Sequence, residues 1–155
     1  MNKLLFFFLL FYLHVANVYS DVIKPNTKIE PYKVVEIQLI SLKNNDKPDK
    51  DFGIEQTWEF AHPENKINTG PLNNFKKMLK NEIYSILLNH KDHKIEEIYN
   101  NKKIAIYDVI ILGSDNFYYE FKWQVERYDG KGSLNNCWLT TAVSNPVSLL
   151  SLIHI

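Results

Sequence analysis

Residues 117–126 read FYYEFKWQVE, and this stretch carries the clearest structural signal in the chain. Aromatic or apolar side chains recur at every second position from Phe117 to Val125, and mostly polar side chains stand between them. A period of two is typical of a β-strand with one face in a core or pocket and the other in water. The turn-forming runs Gly113–Asn116 and Asp129–Gly132 flank the strand, so its neighbours are predicted to be antiparallel to it.

The residues on either side of this strand predict the rest of the sheet. Both faces of Lys102–Leu112 are apolar, which is typical of a central strand. Further strands are predicted at Tyr84–His90, Ile95–Tyr99 and Asn136–Val143.

Three helices are predicted before the sheet. The densely apolar Glu30–Lys43 ends at the turn formers NNDKP, and a second, short helix follows Asp49 or Asp51 and ends at Pro63. A third opens at Gly70-Pro71, because proline is tolerated in a first helical turn. Helices followed by strands predict an α+β fold, with the helices packed on one face of a strongly curved antiparallel sheet. The apolar faces of the second and third helices comprise Ile54, Trp58 and Ala61, and Leu72, Phe75, Met78 and Leu79.

The first twenty residues, Met1–Ser20, differ from the rest. One basic residue, Lys3, precedes the apolar run Leu4–Leu13, which is about half as long as a membrane-spanning helix. This pattern predicts a cleaved signal peptide and a secreted protein with no stable membrane span; a buried first helix is the alternative. A plastid or another organelle reached through the secretory route is the alternative destination.

The working domain is predicted to run from Asp21 to Pro146 as a single unit. The tail Val147–Ile155 is apolar and uncharged. It is either a last strand or helix or, as we favour, a non-native string that resembles translated sequencing adapter.

Composition excludes several functions. The 18 basic and 18 acidic side chains balance, which argues against nucleic acid or an anionic membrane as a partner. The single cysteine, Cys137, cannot form an internal disulfide and is expected to be a small buried filler. The chain has neither a glycine-rich phosphate loop nor a G-x-S-x-G motif, so phosphoryl transfer and serine hydrolysis are not expected.

Five runs together resemble a domain family of unknown function from plants, algae and bacteria, whose members are similar to the nuclear transport factor 2-like superfamily. The runs are QLISLKNNDKPDKDFGIEQTWEFA (Gln38–Ala61), NTGPLNNF (Asn68–Phe75), YSILLNH (Tyr84–His90), FKWQVER (Phe121–Arg127) and NCWLTTAV (Asn136–Val143).

The resemblance implies a cone of three helices and a bent, cystatin-like sheet with a pocket at its wide end. Similar cones are isomerases, dehydratases, ligand binders or dimerising adaptors, so the fold does not choose among these activities. Two positions depart from the family pattern: Asn89 stands where glycine is expected, and Thr141 where an acid is expected. The missing acid makes catalysis less expected.

Four aromatic residues and one histidine are the candidate ligand-binding residues. If the strand faces converge, the aromatic rings line a pocket that can stack a flat ligand; otherwise they fill the core. The histidine lies either at the pocket rim or in a surface turn. His93 follows it by three residues. On a strand this spacing points to opposite sides, so the two histidines would converge only if a turn lies between them, and no metal site is predicted. These candidates are Trp58, Phe121, Trp123, Trp138 and His90.

Asp108 is the candidate catalytic acid, because it interrupts an otherwise apolar strand face. Desolvation raises the pKa of such a carboxyl, and Tyr84 or Tyr107 could donate a hydrogen bond during proton transfer. The alternative is a bend that exposes Asp108 to water.

Three functions follow in order of preference. The first is non-catalytic binding of a small apolar or aromatic molecule, without a cofactor. The second is a scaffold that forms homodimers through the open sheet face. The third is a cofactor-free isomerase or dehydratase.

Overall fold

The computed structural model describes residues 21–149, and all its helices precede its strands. The helices are α1 (Pro31–Lys43), α2 (Phe52–Glu59), α3 (Pro63–Thr69) and α4 (Leu72–Leu79). The strands are β1 (Asp92–Asn100), β2 (Ile104–Leu112), β3 (Tyr118–Arg127), β4 (Trp138–Val143) and β5 (Val147–Ser148). The predicted α+β class is confirmed. Among residues 21–149, no helix combines the length and the apolar character needed to cross a membrane.

The five strands form one open antiparallel sheet in the order β1-β2-β3-β4, with β5 also paired to β3. β2 is a central strand, as predicted, and its register places Tyr107 opposite Trp123 and Val109 opposite Phe121. The register of β1 on β2 shifts between Glu97 and Tyr99, and the register of β4 on β3 shifts after Gln124. Such bulges bend the sheet, because a bulge kinks the strand that carries it.

The core lies between the helices and one face of the sheet. The alternation in β3 is confirmed, since Phe121, Trp123 and Val125 are buried on this inner face. α1 contributes Val34 and Leu39, both fully buried. The outer face behaves differently: the apolar residues on that side of β2 are only half-buried, so no described element covers it.

Residues 21–149 contain four α-helices where three were predicted. α1 and α4 match the first and third predictions, but α2 ends at Glu59 and Ala61 lies beyond it. Pro63 was expected to end the second helix and instead begins α3. The reason is that proline fits the first turn of a helix, so it marks a start as readily as a stop.

The prediction of a strand at Tyr84–His90 is wrong. Ser85–Leu87 form a 3-10 turn instead. The Asn81 side chain accepts from two following backbone N–H groups, those of Ile83 and Tyr84, and this Asx turn curls the chain locally. Asn89 has a φ of 53°, in the left-handed region that asparagine tolerates, which explains how it can replace an expected glycine.

Two predictions concern the chain ends. The predicted signal peptide, residues 1–20, lies outside the described residues. In the tail, Val147–Ser148 pair with Glu120 and Tyr119 of β3, so sheet pairing continues past Pro146. The residues after Leu149 also lie outside the described range.

Candidate functional site

A cavity of about 260 Å³ lies between the helices and the inner face of the sheet. All four helices line it, together with β3 and the end of β4. Most of the lining is apolar, and large side chains such as Trp58, Phe75, Met78 and Trp123 form its walls. Among residues 21–149, none of those that line the cavity is Asp, Glu, Lys, Arg, His or Cys.

A buried hydrogen-bond network forms one wall of the cavity. The Gln38 carbonyl oxygen accepts from the Thr140 hydroxyl at 2.6 Å and from the Trp123 indole N–H at 3.1 Å. The Gln38 amide nitrogen donates to the Thr57 carbonyl at 3.1 Å. The network thus joins α1, α2, β3 and β4.

The roles of the partners determine how the Gln38 amide is oriented. An indole N–H can only donate and a backbone carbonyl can only accept, so the Gln38 oxygen must face Trp123 and its nitrogen must face Thr57. The oxygen already accepts two hydrogen bonds, which occupies both of its lone pairs. A ligand therefore finds no free acceptor on the Gln38 oxygen.

Trp58 is held from two sides. Its ring packs against Phe75 with centroids 4.9 Å apart, and the Lys66 ammonium lies 5.5 Å from the ring centroid. Lys66 also donates to the Glu59 carbonyl at 3.3 Å, and burial lowers the pKa of its ammonium. These contacts limit the rotation of the indole, so Trp58 presents a preformed aromatic wall.

Two polar groups that line the cavity and keep unused hydrogen-bonding capacity lie near the end of β4. Asn65 of α3 donates through its amide nitrogen to the carbonyls of Thr140 and Thr141 at 3.1 and 2.8 Å. The Tyr84 hydroxyl makes only long contacts of 3.4 Å, to the Val143 carbonyl and to an asparagine side chain. Asn65 and Tyr84 both line the cavity.

The structure brings together two of the five predicted ligand-binding residues. Trp58 and Trp123 line the cavity. Phe121 and Trp138 belong to the hydrophobic core instead, and neither they nor His90 line the cavity. Alternation along a strand predicted which face Phe121 occupies, but whether that face meets packing atoms or a void depends on the helices above it.

His90 forms a pair with His93. His90 precedes β1 and the chain turns between the two residues, which is the condition under which their rings were expected to converge. The His90 Nε2 lies 2.8 Å from the His93 Nδ1. The His90 Nδ1 lies 2.7 Å from the Leu87 carbonyl, which can only accept, so this nitrogen carries the proton and the Nε2 accepts from His93. Burial lowers the pKa of His90 to about 4 and also lowers the pKa of His93.

The candidate proton-transfer residues are not brought together. Asp108 projects from the outer face of β2 and pairs with Lys122 at 2.7 Å. Tyr107 projects from the inner face, where burial raises the pKa of its phenol, and its hydroxyl lies 3.4 Å from a Glu97 oxygen. Tyr84 is in the cavity, so the three groups occupy three separate environments.

No metal-binding cluster is found among the described residues, where His, Cys, Asp and Glu do not gather in groups of three or more. Cys137 is a buried free thiol, and burial raises its pKa. A raised pKa makes the reactive thiolate scarcer at neutral pH.

Sequence reasoning missed the polar half of the site. Gln38 stands on the buried face of α1 between apolar residues, and Thr140 interrupts the apolar inner face of β4. A polar residue on a buried face must find a partner, and this is the signal that could have drawn attention to both. Asn65 carries no such signal, because it belongs to a helix in which no residue is buried.

Comparison of the chain with protein-family models, with curated proteins and with solved structures finds no match. The class of protein is defined by its fold and its site: it is an α+β domain with an uncharged cavity between its helices and its sheet. The resemblance to the nuclear transport factor 2-like superfamily stays a prediction.

Proposed function

We propose that this protein binds a small, uncharged, largely apolar molecule in the cavity and does not transform it. The observation that carries the proposal is a partly open, largely apolar cavity with aromatic walls, whose lining among residues 21–149 includes no charged side chain. Transfer of an unpaired charge into such a site is strongly unfavourable, whereas an apolar or aromatic body is favoured there.

The volume bounds the size of the ligand. At about 260 Å³ the cavity lies just below the ~300–1,000 Å³ typical of sites for drug-sized molecules. Trp58 and Trp123 offer aromatic surface on different elements, so a compact ring system suits the space better than a long chain.

The lining chemistry supports binding over catalysis. General acid–base catalysis near neutral pH uses side chains such as carboxylates, imidazoles, amines or thiolates. The polar lining consists instead of amides and hydroxyls, some of which hydrogen-bond to one another.

We also propose that the helices and bent sheet form a cone of the nuclear transport factor 2-like kind. The order of helices and strands, the bulges in the sheet and the position of the cavity support this proposal.

Nuclear magnetic resonance of the three tryptophan indole N–H groups tests ligand binding. During titration with 4-methylanisole, an uncharged aromatic probe, the signals of Trp58 and Trp123 should shift. The signal of Trp138 should not, because this residue lies outside the cavity lining. Equal shifts of all three signals, or no shift, would contradict the proposal.

A blocking variant sharpens the test. Thr69 lines the cavity from α3 and is half-buried, so Thr69→Trp should fill the edge of the cavity without overfilling the core and should abolish the shifts. Ile67→Trp is the matched control, because Ile67 is 78% exposed and does not line the cavity. Binding that persists in Thr69→Trp would place the probe elsewhere.

We propose that the protein acts outside the cell after removal of residues 1–20. The short apolar run behind Lys3 supports this location. The intact mass of the protein recovered from its source gives the test: a chain beginning near Asp21 is expected, and a chain that retains Met1–Ser20 would contradict secretion by cleavage.

A second candidate function is a homodimeric scaffold, and the outer sheet face favours it. Four aliphatic residues of β2 are half-buried there, and Tyr99 and Tyr118 are 50% and 52% exposed. Neighbouring apolar side chains on one exposed face suit a protein interface. Size-exclusion chromatography with light scattering should give twice the monomer mass, and Ile106→Lys should restore the monomer. A monomeric wild type would end this alternative. The four half-buried aliphatic residues on the outer face of β2 are Ile104, Ile106, Ile110 and Leu112.

A further inference from the structure

The polar groups that line the cavity differ in how much hydrogen-bonding capacity they retain. Gln38 and Thr140 satisfy each other and Trp123, so the buried network already uses its strongest acceptor. Thr57 donates its hydroxyl to the Gly53 carbonyl at 2.8 Å. At this wall, a ligand meets polar groups that already form hydrogen bonds to other protein groups.

Asn65 is different. Both of its short hydrogen bonds are donated by the amide nitrogen to carbonyls of β4, which can only accept. The amide orientation is therefore determined, and the nitrogen faces the strand. Its carbonyl oxygen accepts from no donor within residues 21–149, so both lone pairs remain available.

Asn65 borders the cavity, so its side chain lies near any ligand bound there. Asn65 and Thr69 stand four residues apart, on one face of α3, and both line the cavity. The helix is held over the cavity by polar contacts, since none of its residues is buried. A residue that borders this mostly apolar site thus carries an uncharged acceptor with no partner among residues 21–149.

We infer that the ligand carries a hydrogen-bond donor, a hydroxyl or an N–H group, that binds the Asn65 carbonyl oxygen while the apolar body lies against Trp58 and Trp123. This inference rests on the proposed function and names the ligand class: uncharged ring compounds with one donor group. A donor left unpaired in an apolar site costs free energy, and here Asn65 removes that cost. Ligands without a donor gain nothing from Asn65.

Two matched probes test the inference. 4-Methylphenol carries a hydroxyl donor, and 4-methylanisole carries a methyl group in place of that hydrogen. The purified protein is titrated with each probe, and the indole N–H signals of Trp58 and Trp123 report binding. We expect 4-methylphenol to bind about 5–10-fold more tightly, the effect of one net hydrogen bond.

Asn65→Ala should abolish this preference: the loss of the two hydrogen bonds to β4 affects both probes alike, so the ratio of the two affinities reports the Asn65 oxygen. Ile67→Ala, on the exposed side of the same helix, is the matched control and should keep the preference. Equal wild-type affinities for the two probes would overturn the inference and leave the proposed function standing. A preference that survives Asn65→Ala would also overturn it. If neither probe binds, the proposed function and the inference both fail.

Discussion

Replacing His90 by glutamine is expected to weaken the dependence of stability on pH. His90 is 2% exposed, and burial lowers its pKa from 6.5 to about 4. The unfolded chain therefore takes up a proton near pH 6.5, whereas the folded protein resists protonation until about pH 4. Stability is full above pH 6.5 and is lost as the pH falls towards 4.

The size of this effect follows from the two pKa values. A gap of about 2.5 pH units, at ~1.36 kcal/mol per unit, corresponds to a loss of about 3 kcal/mol once both states are protonated. Between pH 7 and pH 4.5 the loss is about 2 kcal/mol, because the folded protein has begun to protonate. The charged groups that face His90 are Lys43 from α1 and Asp92 from β1, with His93 beside it.

Urea unfolding followed by tryptophan fluorescence measures the effect at a series of pH values. Glutamine can donate to the Leu87 carbonyl and accept from His93, as His90 does, but it does not titrate. Carboxylates also titrate near pH 4, but they are common to both proteins, so the difference between the two curves isolates His90. If the free energies of unfolding of the wild type and of His90→Gln fall by the same amount from pH 7 to pH 4.5, the reasoning is refuted.

Three further substitutions test the site and the packing. Gln38→Leu removes the acceptor of the Trp123 indole N–H and of the neighbouring threonine hydroxyl, so urea unfolding should show a loss of about 2–3 kcal/mol; an unchanged midpoint would mean that the network is dispensable. Gly53→Ala places a Cβ 2.1 Å from a backbone oxygen of α1, and a loss of at least ~3 kcal/mol is expected by the same assay. Asp108→Asn breaks the pair with Lys122 on the outer face and should leave the affinity for 4-methylanisole unchanged. If Asp108→Asn lost affinity for 4-methylanisole, a residue on the outer face would influence binding in the cavity, and the prediction would be wrong.

Local patterns in the sequence predicted most of the secondary structure. The alternation in β3 predicted its buried face, and the two apolar faces of β2 predicted a central strand. The prediction failed where turn chemistry competes with periodicity. The Asn81 side chain curls the chain after α4, and Pro63 starts a helix instead of ending one.

The candidate site was predicted only in its aromatic part. Trp58 and Trp123 line the cavity, whereas Phe121 and Trp138 are core residues of the same chemical character. Large aromatic residues in a core and in a cavity wall look alike in sequence, because both are selected for apolar surface. Only the position of α3 and α4 over the sheet leaves space beside Trp58 and none beside Phe121.

The α+β class, the order of helices before strands and the inner face of β3 follow from the sequence alone, since each depends on periodicities within a few residues. The position of the uncharged cavity and the polar groups that border it depend instead on how the helices pack on the sheet. Gln38 and Thr140 are 102 residues apart, and Asn65 and Thr141 are 76 apart. Contacts over such distances form only when α1 and α3 pack against β4, and no local pattern encodes which hydrogen-bonding groups are then left free.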